Sequence, residues 1–223
     1  VCNRLGGGAE PKTEMWYVID ADKDAKIIAG LKGNSTRRQF MDNLHSADIE
    51  KSLQVFDSFP GDAYFINAGR VHAIGGGNLL LEIQQNSDTT YRISDWNRVD
   101  ADGNPRQLHI EEALESIDFM DRTVPRITGA SNNTDHNRKY ALINKCPFFR
   151  VDDLKLVEEW CDSTDSTLSF HLLTAINNPI KVGRDNLMSE IPAGATCLVP
   201  ACFGNYTIFV QKGMTTTVIR TTL

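Results

Sequence analysis

The sequence of 223 residues lacks the features that would place it in a membrane or on a nucleic acid. No apolar run approaches the roughly 20 residues needed to cross a bilayer. Residues 1–11 lack the basic and then apolar order of a secretory signal. Positive charge is also scarce, because 23 Lys and Arg stand against 29 Asp and Glu, for a net charge of −6. Nucleic-acid phosphates are bound by clustered cations, so we expect neither a nucleic-acid nor a membrane partner. A small anionic substrate, which needs only one or two local cations, stays possible.

Cysteine pairs and an initiator methionine are missing as well. The five cysteines are odd in number and form no C-x-x-C pair. This pattern favours free thiols in a reducing compartment, and we expect a cytoplasmic protein. The first residue is Val1, from which we expect a fragment or a processed chain.

Most of the sequence consists of short β-prone segments divided by Gly and Pro turns. Such a pattern predicts a mainly β protein of the sandwich or jelly-roll kind. Before residue 126 we predict strands within 14–30 and at 63–67, 70–74, 78–84 and 89–94, with helices at 35–53 and 108–119. After Tyr140 we predict strands at YALIN, FFRVDD, LKLVEEW, TLSFHLLTAI, ATCLVP, NYTIFV and TTVIRTT.

Two β units with short helices between them follow from this organisation. We expect a first domain at 1–125, incomplete at its N-terminus, and a second at 126–223, with a linker at Ser131–Asn137 (SNNTDHN). A weak repeat relates Pro60-Gly61 to the segment that begins at Gly194. His72 lies 11 residues after Gly61, and the residue 11 positions after Gly194 is Asn205. The second copy therefore has no imidazole, and we expect the chemistry to lie in the first unit.

Two side chains of the first unit are candidates for metal ligands. His72 lies two residues into a predicted strand, where an inward imidazole can bind a divalent metal through one ring nitrogen. Alternatively, it is a core histidine held by hydrogen bonds. Glu14 shares one predicted strand face with Trp16 and Val18. A carboxylate in such a place usually binds a metal or pairs with a cation.

Three charged residues accompany this pair. Glu82 alternates with leucines in mid-strand, so it either meets a cation or lies on a face open to solvent. Arg92 can fork onto a phosphate or an oxyanion, or it forms an ordinary ion pair with Asp88 or Asp95. Lys12, one face-repeat from Glu14, can supply positive charge at the mouth of a barrel. Together these residues indicate a barrel that carries a metal site.

Three segments carry a resemblance to a known family. They are KTEMWYVIDA, PGDAYFINAGRVHAIGGG and LLLEIQQNSDTTYRISDWNRVDADGNPRQLHIEEAL. This run, from about Lys12 to Leu114, resembles the type I, zinc-dependent mannose-6-phosphate isomerases in their short bacterial form, and the QQNSDxTYR stretch is highly specific. The resemblance implies a cupin fold, the double-stranded β-helix, and a C-terminal β domain that is a degenerate cupin.

The resemblance also implies roles for individual residues. The family binds one zinc through a Gln-x-His pair, a Glu and a His. Its Glu falls on Glu14 and its His on His72, while the catalytic Arg falls on Arg92. The family's Lys near the substrate falls on Lys12, and Glu82 is the candidate for the proton shuttle. The Gln-x-His pair has no counterpart before Lys12, from which we expect a chain truncated at its N-terminus.

The implied function is an aldose–ketose isomerase that interconverts mannose 6-phosphate and fructose 6-phosphate through a zinc-stabilised enediolate. The truncated chain is then either an active isomerase or an inactive part of one. The alternative is a non-catalytic double cupin that binds sugars or regulates. A third reading, an iron cupin with oxygenase activity, usually needs two or more histidines on the barrel, and the motif region has only His72.

Overall fold

The computed structural model describes residues 10–96, 98–127 and 134–223. These residues belong to two compact units. One comprises the chain up to Tyr17 together with Ala21–Phe59 and Tyr64–Arg126, and the other comprises Val18–Asp20, Pro60–Ala63 and Ile127–Leu223. Residues 131–133 of the predicted linker lie outside the described residues. No helix in the described ranges has the length and apolarity needed to cross a membrane.

The N-terminal half of the chain contributes two sheets. Its strands are β1 (Glu14–Ala21), β2 (Lys26–Leu31), β3 (Leu53–Asp57), β4 (Ala63–Ile66), β5 (His72–Ile74), β6 (Asn78–Gln84) and β7 (Arg126–Ile127). One sheet has the order β6-β1-β4-β7 and the other the order β3-β2-β5. Because β1 lies between two neighbours, consecutive residues from Glu14 to Val18 are buried. A sequence rich in aromatic and β-branched residues suits such a strand.

The first predicted helix is shorter than expected. Helix α1 spans Arg37–His45 and begins with a capping box between Thr36 and Gln39. The chain then turns through Ala47, which has a φ of 60°, and continues as a 3₁₀ turn over Ile49–Ser52 before β3 begins. The prediction of a helix over 35–53 is therefore wrong in its second half. The left-handed backbone at Ala47 ends the helical hydrogen bonding.

The second helix and one strand also differ from their predictions. Helix α2 spans Ile110–Ser116, the central part of the predicted 108–119. The segment 89–94, predicted as a strand, has an irregular backbone in the structure. Its backbone instead forms a hydrogen bond with the residue before helix α2: the carbonyl oxygen of Arg92 accepts from the N–H of His109 at 2.8 Å. A β-branched composition fits a strand, but no strand among the described residues pairs with this segment.

The C-terminal half forms a sandwich of two antiparallel sheets. Its strands are β8 (Arg138–Ile143), β9 (Arg150–Leu156), β10 (Trp160–Ser163), β11 (His171–Ala175), β12 (Ile180–Arg184), β13 (Leu187–Ile191), β14 (Thr196–Val199), β15 (Asn205–Phe209) and β16 (Thr216–Thr222). Their orders are β14-β11-β16-β9-β8 and β10-β15-β12-β13. Leu154, Leu173, Val218 and Ile208 are fully buried in the core of this unit.

Some strands of this sandwich differ from the sequence prediction. The sequence predicts two strands, at FFRVDD and at LKLVEEW. The structure has a single strand there, because β9 runs from the first segment into the second. The hairpin of β12 and β13 was not predicted. Its signal was present in the Asp185-Asn186 dipeptide between the two strands, and Asp185 has a φ of 49° there. Asp and Asn tolerate the left-handed backbone that a two-residue hairpin needs.

A polar cluster is buried in the second unit. His171 Nδ1 lies 2.7 Å from the hydroxyl of Tyr206. Arg220 bonds to Asp152 and Asp162 nearby. Burial, the largest cause, lowers the pKa of His171, and Arg220 and Lys139 lower it further, while Asp162 and Asp152 oppose them. The folded protein therefore favours the neutral imidazole.

This burial predicts a dependence of stability on pH. An unfolded histidine titrates at about 6.5. Below that pH the unfolded chain binds a proton that the folded chain resists, so stability falls as pH decreases through this range. Urea unfolding at pH 7.5 and 5.5 is expected to show a larger loss of stability in the wild type than in His171→Gln. An equal loss in both proteins would contradict the assignment to His171.

Candidate metal site

The site begins with Glu14, the first residue of β1. Its side chain is only 1% exposed. An isolated carboxylate is costly to bury, so partners must hold its charge. Among the described residues, Lys12 Nζ lies 2.9 Å from Oε2, and His72 Nε2 lies 3.0 Å from Oε1. The structure thus brings together two residues that are 58 positions apart in the sequence.

The imidazole of His72 is oriented by its surroundings. Its Nδ1 lies 2.7 Å from the backbone carbonyl of Arg70, which can only accept a hydrogen bond. Nδ1 is therefore the ring atom that donates to the backbone, and Nε2 is the atom that faces Glu14. The ring also packs edge-on against Trp16, with centroids 5.3 Å apart. A histidine that binds a metal usually has one ring nitrogen on a backbone carbonyl, as Nδ1 of His72 has, while the other ring nitrogen faces the site.

Lys12 links two carboxylates. Its ammonium group contacts Glu14 and also lies 3.3 Å from Glu82 Oε1. Burial by itself would raise the pKa of Glu14, but the nearby His72, together with Glu82 and Lys12, lowers that pKa to about 2. Glu82 behaves oppositely: burial and the neighbouring Glu14 raise its pKa against the effect of Lys12. The two carboxylates therefore differ in proton affinity although they share one cation.

A cavity of about 530 Å³ opens beside these residues. Lys12, Glu14, His72 and Arg92 all line it. Arg92 donates from its guanidinium to the carbonyl of Gln107 at 3.3 Å and forms no ion pair with a described residue. The ion pairs with Asp88 or Asp95 that the sequence left open are thus not formed. Glu82 is not among the lining residues and reaches the site through Lys12.

The pair of Glu14 and His72 fits two ligand positions of a zinc ion. Zinc bonds to histidine nitrogen and carboxylate oxygen are about 2.0–2.2 Å long, so neighbouring ligand atoms of a tetrahedral site lie ~3.3 Å apart. The observed separation of Nε2 and Oε1 is 3.0 Å. Moreover, Oε1 is buried and accepts no well-oriented hydrogen bond from the described residues, despite its closeness to Nε2. Within the described ranges, however, no group of three His, Cys, Asp or Glu could hold a metal.

The sequence analysis does not predict two of the arginines that line the cavity. Arg98 and Arg106 line it, and both bond to the buried carboxylate of Asp95, at 2.9 and 2.5 Å. Chiefly through Arg106, they lower the pKa of Asp95 to about 2. The signal for this cluster was the turn at 100–105. A bridge between Val99 and Pro105 folds the chain back, so residues on either side of the turn meet.

Comparisons with known proteins agree with this picture. No protein-family model matches the chain. A Bacillus subtilis protein named probable mannose-6-phosphate isomerase GmuF is 33% identical over 200 residues, which are 88% of this chain and 61% of that protein. The crystal structure of the mannose 6-phosphate isomerase from Bacillus subtilis superposes with a TM-score of 0.79 at 28% identity and covers 97% of this chain and 66% of that one.

A further solved structure agrees in fold. It is a mannose 6-phosphate isomerase bound with zinc and yttrium, with a TM-score of 0.65 and 13% identity over 94% of this chain and 66% of that one. The predicted fold class, a mainly β cupin, is confirmed by these superpositions and by the strands of both units. The chain spans 61% of the length of GmuF, so it corresponds to only part of that relative.

Proposed function

The chain is a homologue of the bacterial mannose-6-phosphate isomerases, and from this premise we propose that it acts as an isomerase of mannose 6-phosphate and fructose 6-phosphate. The observation that supports this most strongly is the approach of Glu14 and His72 beside a cavity lined by cationic side chains. The substrate is an anionic sugar, and Arg92, Arg98 and Arg106 supply positive charge at that cavity.

We propose zinc as the cofactor, with Glu14 and His72 as two of its ligands. A solved relative in fold is bound with zinc, and the donors here are the oxygen and nitrogen that zinc accepts in proteins. When bound, the ion would polarise the sugar oxygens at C1 and C2 and stabilise negative charge on them.

The other residues would then act on the substrate directly. Arg92 would hold and stabilise the oxygens on which charge develops, because no carboxylate of the described residues neutralises it. Lys12 would stand near the substrate and hold Glu14 ionised. Glu82 is the proposed carrier of the proton between C2 and C1, a role that requires its carboxylate to move from its contact with Lys12 into the cavity, which it does not line.

The wider assignments follow from the same premise. We propose that residues 1–125 form the domain of the metal site and that residues 126–223 form the degenerate cupin. A sugar phosphate is the partner, and the acidic net charge leaves little reason to expect a nucleic acid. We place the protein in the cytoplasm, where phosphorylated sugars are metabolised and its cysteines would stay reduced.

An assay of the purified chain tests this function. Fructose 6-phosphate formed from mannose 6-phosphate is expected in the presence of zinc. Treatment with a chelator should abolish turnover, and added zinc should restore it. A folded chain that binds mannose 6-phosphate with zinc present, yet forms no product, would instead support the non-catalytic sugar-binding reading.

A further inference from the structure

Trp96 lines the same cavity as Glu14 and His72, and the proposed chemistry leaves it without a role. It is 45% exposed, whereas Trp16 of β1 is 2% exposed. A covered tryptophan removes a large apolar area from water, so a tryptophan left open to a cavity forgoes that stabilisation. Pockets that bind small molecules are typically lined by such aromatic surfaces, with a few polar groups that orient the ligand. The place and the exposure of Trp96 therefore favour contact with a ligand.

The backbone of Trp96 is unfavourable for its side chain. Its φ is 49°, in the left-handed region that residues with a bulky side chain rarely adopt. The N–H of Arg98 donates to the carbonyl of Asp95 at 2.9 Å, so Trp96 is the second residue of a tight turn. Turns with a positive φ at that position usually have Gly, Asn or Asp there. Stability alone would thus favour another residue, and strained residues that persist are concentrated at functional sites.

The turn and the indole ring are both held in place. Asp95 is buried and bonds to Arg98 and Arg106, which fixes the turn beside the cavity that all three residues line. The indole Nε1 donates to Glu50 Oε1 at 3.2 Å, and the guanidinium of Arg98 lies 5.8 Å from the ring centroid. A ring that is held before its ligand arrives loses little conformational entropy when the ligand binds.

We propose that Trp96 is a substrate-binding residue, on whose indole the closed ring of the sugar phosphate stacks with its C–H face. This inference rests on the proposed function, which supplies a sugar as the ligand. The face of an aromatic ring carries partial negative charge, and the C–H groups of a sugar carry partial positive charge, so the two surfaces attract each other. Trp96 would contribute to the binding of the sugar and not to the transfer of its proton.

Replacement of Trp96 by Asn separates binding from structure, because asparagine tolerates the left-handed backbone that tryptophan does not. Trp96→Asn should therefore keep or raise the melting temperature. The probe is 1,5-anhydromannitol 6-phosphate, a closed ring that cannot isomerise, and its dissociation constant from titration calorimetry should rise on the order of tenfold. Mannitol 1-phosphate, an open chain without that ring, should lose much less affinity. In the assay with mannose 6-phosphate, KM should rise while kcat changes little.

Two further variants serve as controls. Phe148→Asn also replaces an exposed aromatic residue, since Phe148 is 43% exposed and does not line the cavity, and it should bind the closed-ring phosphate like the wild type. Trp96→Phe keeps an aromatic face at the same place and should recover most of the affinity. A stable Trp96→Asn protein with the affinity of the wild type would overturn the proposal. A large fall in its melting temperature would overturn it as well, because the indole would then be held for structure.

The calorimetric titration does not depend on turnover, so it separates this inference from the proposed function. A chain without isomerase activity whose binding of the closed ring still weakens in Trp96→Asn would refute the function and support the role of Trp96. An active chain whose KM and closed-ring affinity ignore that substitution would do the reverse. A wild-type chain that does not bind the closed-ring phosphate would overturn the inference, whatever its activity.

Discussion

Replacing His72 by Ala is expected to remove zinc from the protein and to reduce isomerase turnover by at least about 100-fold, since a lost Lewis acid forfeits several kcal/mol of charge stabilisation. The physical reason lies in the ligand count. The described residues bring two suitable donor atoms together, Nε2 of His72 and Oε1 of Glu14, at 3.0 Å. Catalytic zinc sites usually have three protein ligands, so a site deprived of one of them loses most of its affinity.

Elemental analysis and the coupled assay measure both effects on one preparation. Glu14→Gln should lower the zinc content as well, because an amide oxygen is a weaker ligand than a carboxylate. The matched control is His136→Ala, since His136 is an exposed histidine that bonds to Asp135. It should keep zinc and activity. Full zinc content in His72→Ala would show that His72 is not a ligand.

Replacing Arg92 by Ala is expected to have the opposite pattern: unchanged zinc content, with turnover reduced by about 100- to 1,000-fold, the usual loss of one group that stabilises an oxyanion. Arg92 lines the cavity with Glu14 and His72 but contacts neither in an ion pair. Its removal therefore leaves the metal ligands in place. The loss should appear mainly in kcat if the charge of Arg92 acts on the developing enediolate.

Arg92→Lys, which keeps a charge without the planar fork, should recover only part of the activity. The control variant replaces an arginine that is far from Arg92 in the sequence: Arg150→Ala, since Arg150 is exposed on β9. That variant should match the wild type in zinc and turnover. Turnover in Arg92→Ala within twofold of the wild type, or loss of its zinc, would contradict the role assigned to Arg92.

The strands that the sequence predicts well are those with one dominant local signal. β1 and β6 were found within a few residues, because aromatic and aliphatic runs are bounded there by polar turns. The helix over 35–53 was too long, since nothing in its apolar spacing reveals the left-handed backbone at Ala47. The composition of segment 89–94 predicts a strand, but a strand also needs neighbouring strands to pair with, and the sequence of the segment does not reveal them.

For the candidate site too, the sequence predicts some residues and not others. Individual residues such as Glu14 and His72 were plausible from their strand positions, but their approach depends on tertiary structure, and it was the family resemblance that joined them. Arg98 and Arg106 were missed because their link is a shared partner, Asp95, across a turn. The ion pair of Arg70 with Asp121 spans 51 positions, and no local sequence pattern predicts it.

The most direct test of the central claim is anomalous diffraction at the zinc edge, from crystals of the chain grown or soaked with zinc. Shared coordination predicts a single strong peak within bonding distance of both His72 Nε2 and Glu14 Oε1, beside the cavity that Lys12 and Arg92 line. A peak only at other residues, or none at this pair with zinc at saturating concentration, would contradict it.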